Sequence, residues 1–97
     1  MIQQNKECFV CHSKVGLERH HIVFGTSGRR MSEKFGLCVW LCYEHHRGAF
    51  GVHGKNGKDL NKKLKIEAQK AFEGQYSHDE WMSIFHKNYI GGEYESF

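Results

Sequence analysis

The chain has 97 residues, 39% of them hydrophobic and 26% charged, with a net charge of +3. That is enough apolar material for one modest core and too much for a wholly disordered chain. No apolar run approaches a membrane span and the opening residues lack the apolar stretch of a secretion signal, so a cytoplasmic, single-domain protein is expected.

Residues 6–14 contain CFVC, Cys8 to Cys11, which predicts a tight turn between short extended pieces. Residues 18–41 read as strand, loop, strand. The first strand carries His20 and His21 ahead of Ile22, Val23 and Phe24, the loop is GTSGRRMSEKFG, and the second strand is LCVWL. Neighbouring side chains of a strand point to opposite faces, so His20 and His21 can share one site only if the strand ends or bends there. Residues 42–58 hold four glycines, which argues against a long helix. Asp59 is then expected to cap a helix with Leu60, Leu64, Ala68, Ala71 and Phe72 on one stripe, stopped at Gly74. Ser77 and Glu80 form a capping box before a second helix bearing Trp81, Ile84, Phe85 and Tyr89. Residues 91–97 read as a loose tail. The expected class is α+β: a two-stranded antiparallel sheet followed by two C-terminal helices.

Eight histidines, four of them in the doublets His20–His21 and His45–His46, point to metal. Cys8-x-x-Cys11 and Cys42-x-x-His45 are matched half-sites, each placing two donors on a tight turn. Together they suit a structural zinc held by three sulfurs and one nitrogen. Disulfides fit less well in a chain without a secretion signal, and no βαβ pattern surrounds the C-x-x-C to suggest redox chemistry. Cys38, inside the apolar strand, reads as a buried thiol, and His12, off the spacing, as exposed.

Charge is unevenly placed. Residues 29–70 hold ten Lys and Arg against four acids, whereas residues 71–97 hold one against five. A basic centre of this kind fits a nucleic-acid footprint and equally a solvated lysine-rich helix face.

The histidine doublet at a strand end, a second strand, and then LCYEHH between metal half-sites resemble the HNH endonucleases of the ββα-metal nuclease superfamily, over the span from Cys8 to His53. The resemblance implies a zinc-stapled ββα-metal core over residues 6–58, with residues 59–90 as a helical extension. By position it makes His20 a metal ligand, His21 the general base and His46 a second metal ligand. Hydrolysis would leave a 5′ phosphate and a 3′ hydroxyl, with Mg²⁺, Mn²⁺, Ni²⁺ or Zn²⁺ as the catalytic metal. One departure stands out: where the family has an Asn, this chain has Leu37. His53 is the candidate third ligand of such a variant, its alternative being a surface histidine in a glycine-rich loop. Arg29 and Arg30, in the expected loop, are candidate phosphate contacts, with Lys62, Lys63 and Arg47 behind them.

The expected partner is DNA read with weak sequence specificity, since no base-reading device is present. A homodimer or a larger, phage-type complex is left open. Two other readings remain: a zinc-stapled nucleic-acid-binding module without catalysis, and a zinc-dependent interaction protein whose C-terminal helix, with Trp81 and Phe85, docks a partner.

Overall fold

A computed structural model of the chain describes residues 1–24 and 26–90, so the expected tail at 91–97 lies outside the described residues. In chain order the elements are β1 (Leu17–His21), α1 (Thr26–Phe35), β2 (Cys38–Cys42), α2 (Tyr43–His46), α3 (Lys58–Glu73) and α4 (His78–Phe85). The architecture is α+β. β1 and β2 pair antiparallel in a two-stranded sheet, from Leu17 opposite Cys42 to His21 opposite Cys38. Among the described residues, no helix is long and apolar enough to cross a membrane.

β2 is buried at four of its five positions, which accounts for its unbroken apolar sequence. Cys8, Val39, Leu41, Leu64, Ala68, Phe72 and Trp81 belong to the core that unites sheet and helices. Of the apolar stripe expected on α3, Leu64, Ala68 and Phe72 are buried and Leu60 is half-buried, but Ala71 is exposed. The buried residue between them is Gln69. Its amide is fully used: Nε2 donates to Glu73 at 2.8 Å and to Asn88 at 2.9 Å, while Oε1 accepts from Tyr89 N at 2.8 Å. A buried glutamine is tolerable because each of these groups is paired, and it fastens residues 88–89 to α3.

Helix α3 starts two residues earlier than expected. Its N-cap is Gly57, without a side-chain cap, and Asp59 sits in the first turn, where a carboxylate favours the helix dipole. The Ser77–Glu80 capping box is present: Glu80 N donates to Ser77 Oγ at 3.0 Å and Ser77 N to Glu80 Oε1 at 3.3 Å. It launches α4 so that Trp81 is fully buried against Phe72 and Phe85, its indole N–H donating to Lys87 O at 2.8 Å. Trp81→Ala removes the largest buried side chain and should destabilise the chain by about 3–5 kcal/mol. A denaturant titration showing a loss under about 1 kcal/mol would contradict that placement of the core.

The expected loop between the strands is instead the helix α1. Ser, Thr and Gly have low helix propensity, which hid it. Packing supplies what propensity lacks. The Ser32 hydroxyl accepts from Val23 N at 3.1 Å and donates to Val23 O at 2.8 Å, pairing the helix with the bend after β1. Gly28, one turn earlier, lets the two backbones approach, since a Cβ there would meet Val23 C and O at 3.1 Å.

Candidate metal centres

Two groups of side chains gather where β1, β2 and α2 meet. The first unites Cys8, Cys11, Cys42 and His45, with all four donor atoms within 4.8 Å of one another. Cys8 and Cys11 flank a turn held by Cys8 N donating to Ser13 O at 2.8 Å and His12 N to Cys8 O at 2.9 Å. Phe9 N donates to Trp40 O at 2.8 Å, which lays the turn along β2. Cys42 ends β2 and is the N-cap of α2, so His45 follows on the first turn of that helix. Cys11 Sγ lies 3.8 Å from Cys42 Sγ, and His45 Nδ1 lies 3.3 Å from Cys42 Sγ and 3.7 Å from Cys8 Sγ. Burial alone would push the Cys8 thiol up, but backbone N–H groups of Cys11, Cys42 and Val10 outweigh it and bring the thiol down to about 6. A thiolate at neutral pH is the form that binds metal. His12 is exposed and pairs with Glu7 instead.

The second group unites His20 of β1, His46 of α2 and His53, again with donor atoms within 4.8 Å of one another. Ring centroids lie 5.2 Å apart for His20–His46 and His20–His53, and 4.9 Å for His46–His53. The route by which His53 returns is visible in the backbone. Val52 N donates to His45 O and His53 N to His46 O, each at 3.0 Å, which lays the segment after α2 back against that helix. Gly48, Gly51, Gly54 and Gly57 recur every third residue, and successive N–H groups reach the carbonyl three back at 2.8–3.2 Å. The coil is too tight for side chains there: a Cβ on Gly54 would run into the Gly48 carbonyl oxygen, and one on Gly57 into that of Gly51. The glycines that argue against a long helix thus build a coil that returns His53 to His20 and His46.

Electrostatics suit the trio for a cation. His20 is 2% exposed and its Nε2 is buried with no hydrogen-bond partner. An orphaned imidazole nitrogen is costly to bury unless a ligand meets it. Burial, reinforced by His46, His53, His21 and Lys65, holds the His20 imidazole down at about 3, so it is neutral at physiological pH. His46 donates from Nδ1 to Glu18 Oε1 at 2.6 Å, which leaves its Nε2 lone pair as the donor. Glu18 also accepts from Arg47 Nε at 3.0 Å, and its carboxyl is held low first by His46 and then by Arg47. This carboxylate–histidine pairing is the usual support behind a metal-binding imidazole. Nothing in the local sequence signals it, because Glu18 and His46 are brought together only by the pairing of β1 with the β2–α2 corner. His53 is the exposed member, its imidazole held down by partial burial, His46 and Arg47.

The His20 shift carries a pH dependence. In the unfolded chain this imidazole takes a proton near 6.5, whereas in the fold it stays neutral down to about 3. The stabilisation is therefore complete above pH 6.5 and is lost as pH falls from there, by about 1.4 kcal/mol per unit. With no metal at the three histidines, His20→Gln should flatten the decline of melting temperature between pH 7 and pH 5. Identical declines in the two proteins would contradict the buried neutral state.

His21 is placed otherwise. β1 ends at His21, as a shared site required, yet the His20 trio does not include it. Its Nε2 meets Glu33 Oε2 of α1 at 2.8 Å, Glu33 is paired with Arg19 at 2.9 Å, and the donor atoms of His21, Glu33 and Cys38 also lie within 4.8 Å of one another. Strand alternation thus survives in the side-chain partners. Cys38 is buried, as expected, and burial pushes its thiol up. Leu37, where the resemblance calls for Asn, is a core residue, and the chain after β1 is braced by Ser32 instead. Arg29 and Arg30 lie exposed on α1, not in a loop, and Arg47 is committed to Glu18. Lys62 and Lys63 are exposed on α3.

Both groups could hold a metal ion. No family model, curated protein or solved structure matches the chain.

Proposed function

We propose that the chain is a metal-dependent DNA endonuclease of the HNH type, with a structural zinc at Cys8, Cys11, Cys42 and His45 and a catalytic divalent metal at His20, His46 and His53. The observation that carries this reading is the convergence of three histidines from separate segments on a buried imidazole nitrogen with no protein partner. A non-catalytic zinc module would need the first centre but has no use for the second.

Zinc suits the first centre by donor chemistry and by size. Zn–S bonds near 2.3 Å and Zn–N bonds near 2.0–2.1 Å give tetrahedral edges of about 3.8 Å between sulfurs and about 3.6 Å between sulfur and nitrogen. The corresponding spans in the fold are 3.8 Å and 3.3–3.7 Å.

At the second centre a divalent cation would polarise a scissile phosphate and stabilise charge on the leaving 3′ oxygen. The remaining work falls to side chains. His20 is kept neutral by burial, and Glu18 fixes the His46 tautomer. His21, with Nε2 engaged by Glu33, keeps Nδ1 to take a proton from the attacking water, and the carboxylate steadies the imidazolium that forms. Arg29 and Arg30 are exposed near the start of α1, where guanidinium groups can meet DNA phosphates.

The test is incubation of supercoiled plasmid with the zinc-loaded protein and Mg²⁺, Mn²⁺, Ni²⁺, added Zn²⁺ or chelator. Nicking or linearisation that needs metal, with 5′-phosphate ends, is the expected result. DNA retention without cleavage under every metal would overturn the nuclease reading in favour of the binding module.

A further inference from the structure

Beside the trihistidine group, the first half of α3 and residues 87–89 enclose an open cavity of about 620 Å³. Lys58, Lys62, Lys65 and Lys87 line it, against one carboxylate, Asp59. Ammonium groups around a concavity repel one another and raise the local potential for an anion. Lys65 is the clearest case. It is half-buried, and its ammonium lies over the rings of Phe24 at 5.0 Å and Tyr89 at 5.6 Å. Lys87 lies over the same Tyr89 ring at 5.5 Å, so two cations share one aromatic platform. Burial and Lys87 together lower the affinity of Lys65 for its proton.

One ring links the cavity wall to the candidate catalytic centre. Phe24, which carries Lys65 on its ring, packs against His53 at 5.4 Å and His20 at 6.0 Å between centroids. In the same wall Asn61 has its side-chain oxygen buried with no hydrogen-bond donor. Gln69 holds the outer wall in place by accepting from Tyr89 N.

We infer that this cavity is a strand-binding subsite: Lys65 and Lys87 grip backbone phosphates of a nucleic-acid strand that leads into the trihistidine centre, and Tyr89 lies beneath an adjoining nucleotide. The inference rests on the nuclease reading only in taking a nucleic-acid strand as ligand, and it places the contact in the helical extension, outside the span that resembles HNH enzymes.

The experiment is fluorescence anisotropy of a labelled DNA duplex with zinc-loaded protein and no added divalent metal, so that binding is read without cleavage. Wild type is compared with Lys65→Gln/Lys87→Gln and with Lys14→Gln/Lys70→Gln, which removes the same charge elsewhere. Each lost phosphate contact lowers the slope of log affinity against log salt by about 0.9, which is roughly tenfold in affinity at 0.1 M salt. The Lys65/Lys87 variant should lose at least about tenfold and flatten the slope by one to two, roughly, with metal content and melting temperature unchanged. An unchanged affinity and slope, or an equal loss in the Lys14/Lys70 control, would overturn the subsite. So would absence of DNA binding by wild type, or displacement of DNA by low-millimolar inorganic phosphate at constant ionic strength, which would mark a free-anion site. Cleavage by wild type alongside unchanged binding by the variant defeats the subsite alone. Lysine-dependent binding without cleavage under any metal defeats the catalytic reading alone.

Discussion

Cys42→Ser should leave most of the chain unfolded at room temperature. Cys42 closes β2, is the N-cap of α2 and contributes its sulfur to the four-donor group, so strand, helix and N-terminal turn all converge on it. The core it belongs to is small, drawn from a two-stranded sheet and short stretches of helix. A structural zinc in such a setting contributes on the order of 10 kcal/mol to folding. A domain of this length has a total stability of about 5–15 kcal/mol, so losing the metal removes most or all of the margin. Serine is nearly isosteric with cysteine but a poor zinc ligand, which separates the metal's contribution from packing. Circular dichroism and thermal melting check the result, and a strong chelator on wild type should reproduce it. A variant that melts within a few degrees of wild type would show that the four donors do not carry a structural metal.

The second large effect concerns cleavage, and two substitutions should abolish it for different reasons. On the proposed reading His46→Ala removes a metal ligand and leaves Glu18 with Arg47 alone, so binding of the second metal and cleavage should fall together. His21→Ala leaves the trio intact, so the second metal should still bind while the rate falls by about 10²–10⁴. Metal titration followed by single-turnover cleavage separates the two. A His21→Ala protein that binds metal and cleaves at the wild-type rate would remove His21 from the chemistry and leave its Glu33 contact a structural one.

How much of this was legible in the sequence depended on distance along the chain. The cysteine half-sites were readable because each pair is local and a tight turn fixes its geometry. Their meeting, although long-range, follows from four donors that have little other use together. The C-terminal capping box was readable for the same reason, since Ser77 and Glu80 stand one turn apart. Helix α1 was not, because what stabilises it is the fit of Gly28 and Ser32 against Val23, which propensity cannot see. His53 was visible only as a candidate, since its placement depends on a glycine-paced coil whose hydrogen bonds run to α2. Glu18 and Glu33 were invisible as partners of His46 and His21, for each pairing crosses between elements. The strand period anticipated that the neighbouring histidines take different partners, His20 joining His46 and His53 while His21 meets Glu33.

The most direct test is the rate of plasmid nicking as a second metal, Ni²⁺ or Mn²⁺, is titrated into protein that already holds one zinc, with folded His46→Ala measured beside it. The account predicts that nicking rises with occupancy of one additional site and that the variant neither binds that metal nor nicks. Nicking at full rate by the folded variant, or none by wild type at any metal while DNA remains bound, would contradict a catalytic metal at His20, His46 and His53.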